Sequence, residues 1–327
     1  MKRWAAAIVC VAGITAVWFS RTTFAGDWPA SYPYVPAAYD VMDQRLVVFP
    51  LAGSQERKVS LPVALGGYEL SPDGKSIYST AGGYLGATGI HDLKELTTEL
   101  KKMKQGLFRI DLSSMHVIDV PGSGDFRFFS STAISRRQDE AVVAGKYWNG
   151  GTVVCGVFAL DLPGGKVRQI LDTDDCEDAL TRTDISVSPD SKYAVAIHRR
   201  SLELIDLANG GVRKLGDDFM KAAWSPDGKW IAAAKYSLLH ANMVLFDGKT
   251  FGARKTLASS MVLRVLWSPD SRFLLARRSV GGCGPDAFTY EAFEVETGKG
   301  SLVQSSQCKV WNANDVGWVD QAIATNR

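Results

Sequence analysis

Four histidines carry most of the chain's capacity for acid–base chemistry: His91, His116, His198 and His240. No two of them have the i, i+4 spacing that places two imidazoles on one helix face, so no local metal motif is present. His116 and His198 fall in or beside predicted strands and are interpreted as structural. His91 and His240 fall in long loops, where either could serve a binding or catalytic site.

An acidic run near the middle of the chain is the nearest approach to a cation site. Its members are Asp172, Asp174, Asp175, Glu177 and Asp178. Their spacing lacks the Asp-x-Asp-x-Asp-Gly order of a calcium loop, so we interpret the run as a solvated loop and expect no metal. The Gly-x-Ser-x-Gly sequence of a hydrolase nucleophile is also absent. We therefore predict no cofactor.

The longest insertion, residues 80–106, combines a glycine-rich stretch with a predicted helix. Asp92 followed by Glu95 is typical of a capping box. Apolar residues then follow at helical spacing: Leu93, Leu96, Leu100 and Met103. A phosphate site would also need a Walker-type Lys-Ser/Thr, which is missing. The helix either packs over the body of the fold or docks a partner.

The N-terminus has the order of a secretory signal peptide. Lys2 and Arg3 precede an apolar run over residues 5–19, and a small-residue cleavage site ends at Ala25. The run is shorter than the ~20 residues that cross a bilayer, which disfavours a retained anchor. Cleavage removes three basic residues, so the net charge of +2 becomes −1. This balance favours neither nucleic acid nor stable membrane association as a partner.

Two alternating hairpin types predict the fold. The first is Ser-Pro-Asp-Gly/Ser between apolar strands, at 71–74, 188–191, 225–228 and 268–271, with a degenerate copy at 133–144 and a shortened one at 316–323. Serine, proline and glycine suit positions i, i+1 and i+3 of a type I turn. The second type is an apolar strand ending near an acidic residue, a turn, then another strand. Its six copies are 46–61, 107–120, 157–171, 202–215, 243–257 and 293–303.

Six copies of each type give roughly 48 residues and four strands per unit, which is typical of a β-propeller blade. The fold class is therefore all-β, a six-bladed propeller with one inserted helix, rather than a β-sandwich or an open array. The chain begins with the second hairpin (46–61) and ends with the first (316–323), so the two ends should complete one blade and close the ring. Residues 1–25 are then the signal peptide, 26–45 a lead-in, and 46–327 the propeller.

The frame Trp224-Ser-Pro-Asp-Gly-Lys-Trp230-Ile231-Ala232 resembles the TolB-type, WD-like propeller repeat of exported bacterial proteins. The resemblance spans nearly the whole mature chain and implies the fold rather than an activity. TolB carries an additional N-terminal mixed domain, which residues 27–45 are too few to form. The resemblance therefore implies no role in the Tol–Pal system.

The repeat assigns the four cysteines that follow the signal peptide to two disulfides, Cys155–Cys176 and Cys283–Cys308. In each pair the first cysteine precedes the third strand of a blade and the second follows the fourth strand. The turn between those strands brings the two cysteines together, and export supplies the oxidising compartment. Trp224, Trp267 and Trp318 precede the turns and are interpreted as packing between blades.

The long segments all join strands two to three, or four to the next blade, and so lie on one face of the disc. They are 80–106, 121–131, 145–152, 172–183, 235–242, 277–288 and 304–314. Long loops on a rigid scaffold usually carry function. The candidate binding residues on this face are Tyr84, His91, Trp148, Asn149, His240, Arg278 and Asp286.

Without a recognisable nucleophile, metal cluster or cofactor motif, the sequence favours a monomeric scaffold over an enzyme. The scaffold is expected to be periplasmic or secreted and to bind a protein or peptide of the cell envelope. The alternative is a propeller enzyme (a hydrolase, lyase or dehydrogenase) with a site at the mouth of the central channel. Propellers support both functions, so the fold does not decide between them.

Overall fold

The computed structural model of the chain describes residues 32–40, 43, 45–48, 57–63, 65–80, 106–173, 176, 182–236, 241–257, 262–279, 288–305 and 313–325. In these residues 24 strands form six antiparallel sheets of four strands each. The six-bladed propeller is therefore confirmed. A 3₁₀ helix, Ser123–Asp125, and the terminal helix α1, Gln321–Thr325, complete the described elements.

Blades I to III contain the first half of the strands and the last one. Blade I comprises β1 Tyr34–Asp40, β2 Arg45–Val48, β3 Arg57–Ser60 and β24 Ala313–Asp320; blade II comprises β4 Tyr68–Leu70, β5 Ser76–Thr80, β6 Leu107–Asp111 and β7 Val117–Asp119; blade III comprises β8 Phe126–Ile134, β9 Glu140–Asn149, β10 Thr152–Asp161 and β11 Val167–Asp172.

Blades IV to VI each use four consecutive strands. Blade IV comprises β12 Arg182–Val187, β13 Tyr193–His198, β14 Ser201–Asp206 and β15 Val212–Asp217; blade V comprises β16 Phe219–Trp224, β17 Trp230–Tyr236, β18 Ala241–Asp247 and β19 Ala253–Leu257; blade VI comprises β20 Val262–Trp267, β21 Phe273–Ser279, β22 Phe288–Glu294 and β23 Gly300–Ser305.

Ring closure in blade I follows the order β24-β1-β2-β3, so β2 shares a sheet with the segment around Trp318 as predicted. The sequence predicted that each end of the chain contributes two strands to blade I. In the structure the N-terminal side contributes three strands, β1 to β3, and the C-terminal side contributes one, β24. The segment expected as a lead-in contains β1, which pairs with both β2 and β24. β1 was not predicted from the sequence because it contains Pro36, and proline is uncommon inside sheets. Ala322 and Ile323, expected to be strand, lie in α1.

The Ser-Pro-Asp turns are held by one repeated set of hydrogen bonds. Ser71 donates its hydroxyl to Asp73 at 2.6 Å and accepts the N–H of Ser76 at 2.9 Å. The turns beginning at Ser188, Ser225 and Ser268 repeat both contacts. Each turn thus fixes the first two strands of its blade at what we call the turn face, which is the face opposite the long loops.

The core consists of six apolar clusters, one at each contact between neighbouring blades, in the residues that the structure describes. The indole Nε1 of Trp267 donates to the carbonyl of Ala223 in the preceding blade at 3.0 Å. Trp318 donates likewise to Leu266 at 3.3 Å. Trp224 is buried between blades IV and V. The predicted packing role of the three tryptophans is therefore confirmed.

Two of the expected long loops are largely regular structure. Residues 145–152 belong to a hairpin in which β9 and β10 are joined by Gly150 and Gly151 alone. Residues 121–131 hold the 3₁₀ helix and the start of β8. In both segments the strands continue past the body of the blade, which sequence patterns do not distinguish from a loop.

Replacing Gly74 by alanine should weaken ring closure. Gly74 has a φ of +71°, and an added Cβ would lie 2.6 Å from the carbonyl oxygen of Trp318 in β24. Gly150→Ala is the matched control, because Gly150 has a φ of +58° and nothing within 4 Å. Denaturant unfolding should show a loss of about 1 kcal/mol for the control, from backbone strain, and about 1–3 kcal/mol more for Gly74→Ala. Equal losses would contradict this role for the contact.

Candidate functional site

The candidate binding residues are only partly described by the structure. Tyr84, His91, His240 and Asp286 lie outside the described residues, as do Cys283 and Cys308, and the expectations for them stay predictions. Arg278 lies in β21, where its backbone pairs with Val262 and Thr289. Trp148 and Asn149 end β9 on the face of the long loops, which we call the loop face.

An exposed apolar patch lies at the loop-face end of blade III, and we call it the blade III tip. It consists of Phe128, Trp148 and Val153, which are 49%, 38% and 46% exposed. Val153 pairs directly with Trp148, and Phe128 pairs with Lys146 two residues along the same strand. The three side chains therefore project from one side of the sheet. Arg127 lies over the indole of Trp148, 5.5 Å from the ring centroid.

A buried aromatic cluster supports this tip from the other side of the sheet. Phe126 contacts Phe129, Tyr147 and Phe158 with ring centroids 4.9, 5.1 and 5.6 Å apart. Aromatic contacts of this kind hold the ring side chains in fixed rotamers. They thereby stiffen the strands that carry the exposed residues. The patch is thus presented on a rigid base rather than on a free loop.

The disulfide Cys155–Cys176 ties the same hairpin to the segment that follows β11. Its Cα atoms are 5.1 Å apart, and Cys155 is buried in β10. The predicted pairing of these two cysteines is therefore confirmed. It fixes Cys176, which lies between members of the acidic run, next to blade III; of that run itself, only Asp172 belongs to the described residues.

Arginines also occupy the loop face of blades IV and V. Arg199 and Arg200 form the turn between β13 and β14 with φ angles of 48° and 68°. Such a turn favours Asn-Gly, and two arginines in it are strained. Arg200 lies 4.7 Å from the ring centroid of Tyr236 in blade V and pairs with Asp218 at 3.0 Å. This site was not predicted from the sequence. The signal would have been Arg199-Arg200 at a position between two strands where a turn dipeptide such as Asn-Gly is expected.

A buried charged group also lies in blade IV. The Glu203 carboxylate accepts a hydrogen bond from Nε of Arg182 at 3.1 Å and lies 2.9 Å from Nδ1 of His198. The side chains of Arg182, Glu203 and His198 are 7%, 12% and 14% exposed. His198 was interpreted from sequence as structural, but its pairing with Glu203 was not foreseen. A carboxylate beside a histidine is the arrangement that a general base uses.

A second ion pair joins the innermost strands of blades IV and V. Nζ of Lys221 lies 2.8 and 2.7 Å from the two carboxylate oxygens of Asp184. Both side chains are largely buried, and each charge is neutralised by the other. This contact stabilises the ring and leaves neither group available for chemistry.

Two cavities lined by described residues lie on the turn face. One of about 660 Å³ lies between blades III and IV, and one of about 420 Å³ lies between blades V and VI. In the first, burial raises the pKa of Glu140 despite the opposing charge of Arg168. The two grooves occupy equivalent positions in two blade pairs, so we attribute them to blade geometry rather than to a specific ligand.

The described residues contain neither a metal-ligand cluster nor a membrane-spanning helix. No group of three histidine, cysteine or acidic side chains is arranged to hold a metal ion in that part of the chain. None of its helices is long and apolar enough to cross a membrane.

Comparison with known proteins identifies the fold. TolB from Acinetobacter baumannii superposes with a TM-score of 0.60 at 14% identity, over 88% of this chain and 66% of that one. A chain of a nidogen/laminin complex gives 0.58 at 11% identity, over 88% and 98%. An oligogalacturonate lyase in complex with manganese gives 0.54 at 15%, over 82% and 73%. No family model and no curated protein matches the chain.

These identities are too low to transfer an activity, so the likeness concerns the fold. The chain spans slightly less than two thirds, 66%, of the TolB structure. TolB, the nidogen/laminin chain and the oligogalacturonate lyase share this architecture at TM-scores of 0.54 to 0.60. The chain therefore has the TolB-type six-bladed propeller fold.

Removal of the disulfide should destabilise the protein without changing its fold. The bridge joins cysteines 21 residues apart, and the loop-entropy model gives about 3 kcal/mol for a ring of this size. Urea unfolding of Cys155→Ser/Cys176→Ser measures this loss. Non-reducing peptide mapping of the native chain should recover Cys155–Cys176 and Cys283–Cys308. Crossed pairs such as Cys155–Cys283 would contradict the assignment.

Glu203→Gln should destabilise the protein far more than the loss of an exposed ion pair. The change leaves the buried Arg182 without its carboxylate, which costs about 2–4 kcal/mol. Lys214→Gln is the matched control, because Lys214 pairs with Glu203 across the strands but makes only an exposed ion pair with Asp217. The control should change unfolding by less than about 0.5 kcal/mol. Equal effects would show that Glu203 is not a buried structural charge.

Proposed function

We propose that this chain is an exported TolB-like propeller that binds a protein or peptide partner in the cell envelope through its loop face. One observation carries the proposal. Six large hydrophobic side chains are exposed in the described residues, and four of them lie at loop-face strand ends: Phe128, Trp148, Val153 and Tyr236. The other two, Ile118 and Val212, are isolated on outer strands.

The composition of the loop face suits a protein interface. Tryptophan, tyrosine and arginine are the residues most enriched among those that dominate binding energy. Here Trp148 and Tyr236 each lie beneath an arginine, Arg127 and Arg200 respectively. The rigid base beneath Trp148 reduces the side-chain entropy that binding would cost.

The position of the described chain ends also supports the loop face as the binding surface. The hydroxyl of Tyr32 donates to Asp270 in a Ser-Pro-Asp turn at 2.7 Å, so the described N-terminal end lies at the turn face. Helix α1 follows β24 at that face as well, since its first residue bonds to Pro33. Neither described end therefore covers the loop face.

Export rests on two independent features. The N-terminal residues have the order of a signal peptide, and the Cys155–Cys176 bridge needs an oxidising compartment to form and persist. The periplasm supplies that environment, and a monomeric scaffold there is consistent with both features.

The alternative, an enzyme, has one observation in its favour. His198 and Glu203 are 2.9 Å apart, as a base and its orienting group would be. Glu203 is shared with Arg182, however, and all three side chains are nearly buried. A fully engaged charge network of this kind more often holds a blade together than meets a substrate, so binding remains our proposal.

Trp148→Ala combined with Phe128→Ala should abolish most partner capture. Two truncations in the centre of an interface typically cost more than 1 kcal/mol each, which predicts at least a tenfold loss. The readout is affinity capture from envelope extract, quantified by mass spectrometry for the most enriched protein. Because the changed side chains are exposed, the thermal midpoint should stay close to that of the native chain.

Ile118→Ala combined with Val212→Ala is the matched control. These residues are 41% and 43% exposed, similar to the blade III tip, but lie on outer strands. The control should retain capture within about twofold, since surface changes away from an interface are nearly neutral. Equal loss in both double variants would indicate nonspecific adhesion, and no loss in the tip variant would refute the proposed surface.

A further inference from the structure

The turn between the first two strands departs from the repeat in one of the five blades, II to VI, that have it. Four turns place a proline after the serine: Pro72, Pro189, Pro226 and Pro269. In blade III the corresponding residue is Arg136. The backbone bonds of the turn are kept, since the N–H of Ser135 donates to the Glu140 carbonyl at 2.8 Å and that of Gln138 to the Ser135 carbonyl at 2.9 Å, but the Ser135 hydroxyl donates to Asp139, four residues on instead of two. The turn geometry is therefore preserved while its second residue gains a long cationic side chain.

The turn-face end of the channel contains a small cavity that Arg136 lines together with the four prolines. Its volume is about 140 Å³. The remaining lining comes from all six blades and combines polar groups, among them Glu69, with apolar side chains that include Leu70, Ile134, Leu266 and the three tryptophans Trp224, Trp267 and Trp318. An apolar protein cavity of roughly this size, about 150 Å³, is large enough to hold benzene, a molecule of six heavy atoms.

Arg136 is held across the mouth of this cavity. Its Nη1 donates to the carbonyl of Pro226 in blade V at 2.8 Å, so the side chain passes blade IV. A guanidinium carries five N–H donors, and this bond uses one. Within the described part of the chain, Arg136 forms no ion pair, whereas the adjacent Arg137 lies 3.9 Å from Asp139.

The nearby carboxylates are committed to their own turns. Asp73 accepts the Ser71 hydroxyl at 2.6 Å and Nε2 of Gln138 at 2.9 Å. Asp270 accepts the hydroxyls of Ser268 and Tyr32, both at 2.7 Å. Glu69 also lines the cavity and has an interaction of its own. The cation at the cavity mouth thus lacks a protein counter-ion while the acids around it are engaged.

We propose that the turn-face end of the channel is a second binding site, which takes a carboxylate borne on a short apolar group. The guanidinium of Arg136 would hold the carboxylate through paired charged hydrogen bonds, and the apolar group would fill the cavity lined by proline and tryptophan. Two sources share this chemistry: a small monocarboxylic acid and the C-terminal carboxylate of a peptide. The site lies opposite the blade III tip and does not depend on the function proposed for the loop face.

Calorimetric titration with butyrate, which has six heavy atoms, tests the site. Butyrate should bind at a single site with a Kd of about 1 mM, and butyramide, the uncharged analogue of the same shape, should bind at least tenfold more weakly. Arg136→Pro introduces the proline that the other four turns have at this position, so the variant should retain the fold. That variant and Arg136→Gln should each lose at least tenfold in affinity, whereas Arg137→Gln, beside the cavity, should bind as the native chain does.

Two results would overturn the proposal: equal binding of butyrate and butyramide, or native affinity for butyrate in both Arg136 variants. If Arg136 only braces the channel, the variants lower the unfolding midpoint and the native chain does not discriminate butyrate from butyramide. The tripeptide Gly-Gly-Val with a free or amidated C-terminus separates the sources. Tighter binding of the free-acid tripeptide than of butyrate identifies a peptide terminus, and tighter binding of butyrate identifies a small acid. Absence of saturable binding by both acids refutes the site.

Discussion

Pairing between β24 and β1 joins the two ends of the chain, and the rest of the ring depends on it. The two strands pair from Tyr34 with Asp320 to Asp40 with Ala313. It is the strand pairing that joins the two ends of the chain within one blade, so this contact determines whether the sheets close or remain an open array. Trp318 reinforces it by bonding to blade VI, and Tyr32 anchors the entering chain to the turn at Asp270. The two core clusters on either side of blade I contain residues of these strands and are buried by the closure.

Closure also fixes what each face of the disc can do. Both described chain ends and the hydrogen-bonded Ser-Pro-Asp turns lie at the turn face, where the first two strands of a blade are held with little freedom. The described residues of the loop face show no such repeated set of hydrogen bonds, and there β9 and β10 extend past the body of blade III. That extension needs its own support, which the Phe126 cluster and the Cys155–Cys176 bridge supply.

The fold was predictable from sequence because its determinants are local and repeated six times. A turn such as Ser225-Pro-Asp-Gly carries its own hydrogen bonds, and Cys155 and Cys176 could be paired because the repeat gives their place in a blade. β1 was missed because Pro36 and the absence of a turn signal hide a strand that only β24 completes. The Arg182–Glu203–His198 group was missed because its partners lie 21 and 5 residues apart, spacings set by blade geometry rather than by any sequence period.

Regularity makes the exceptions informative. When four other blades have the same residue at a position, a different residue there needs a reason beyond the fold. Pro226 and its three counterparts show what stability favours after the turn serine, yet blade III has Arg136. The turn of Arg199 and Arg200 accepts two strained φ angles where Asn-Gly would relieve both. Strain of this kind persists only where surrounding contacts hold it, as Tyr236 and Asp218 hold Arg200. The exceptions fall at the channel end and on the loop face, and neither set is required to close the ring.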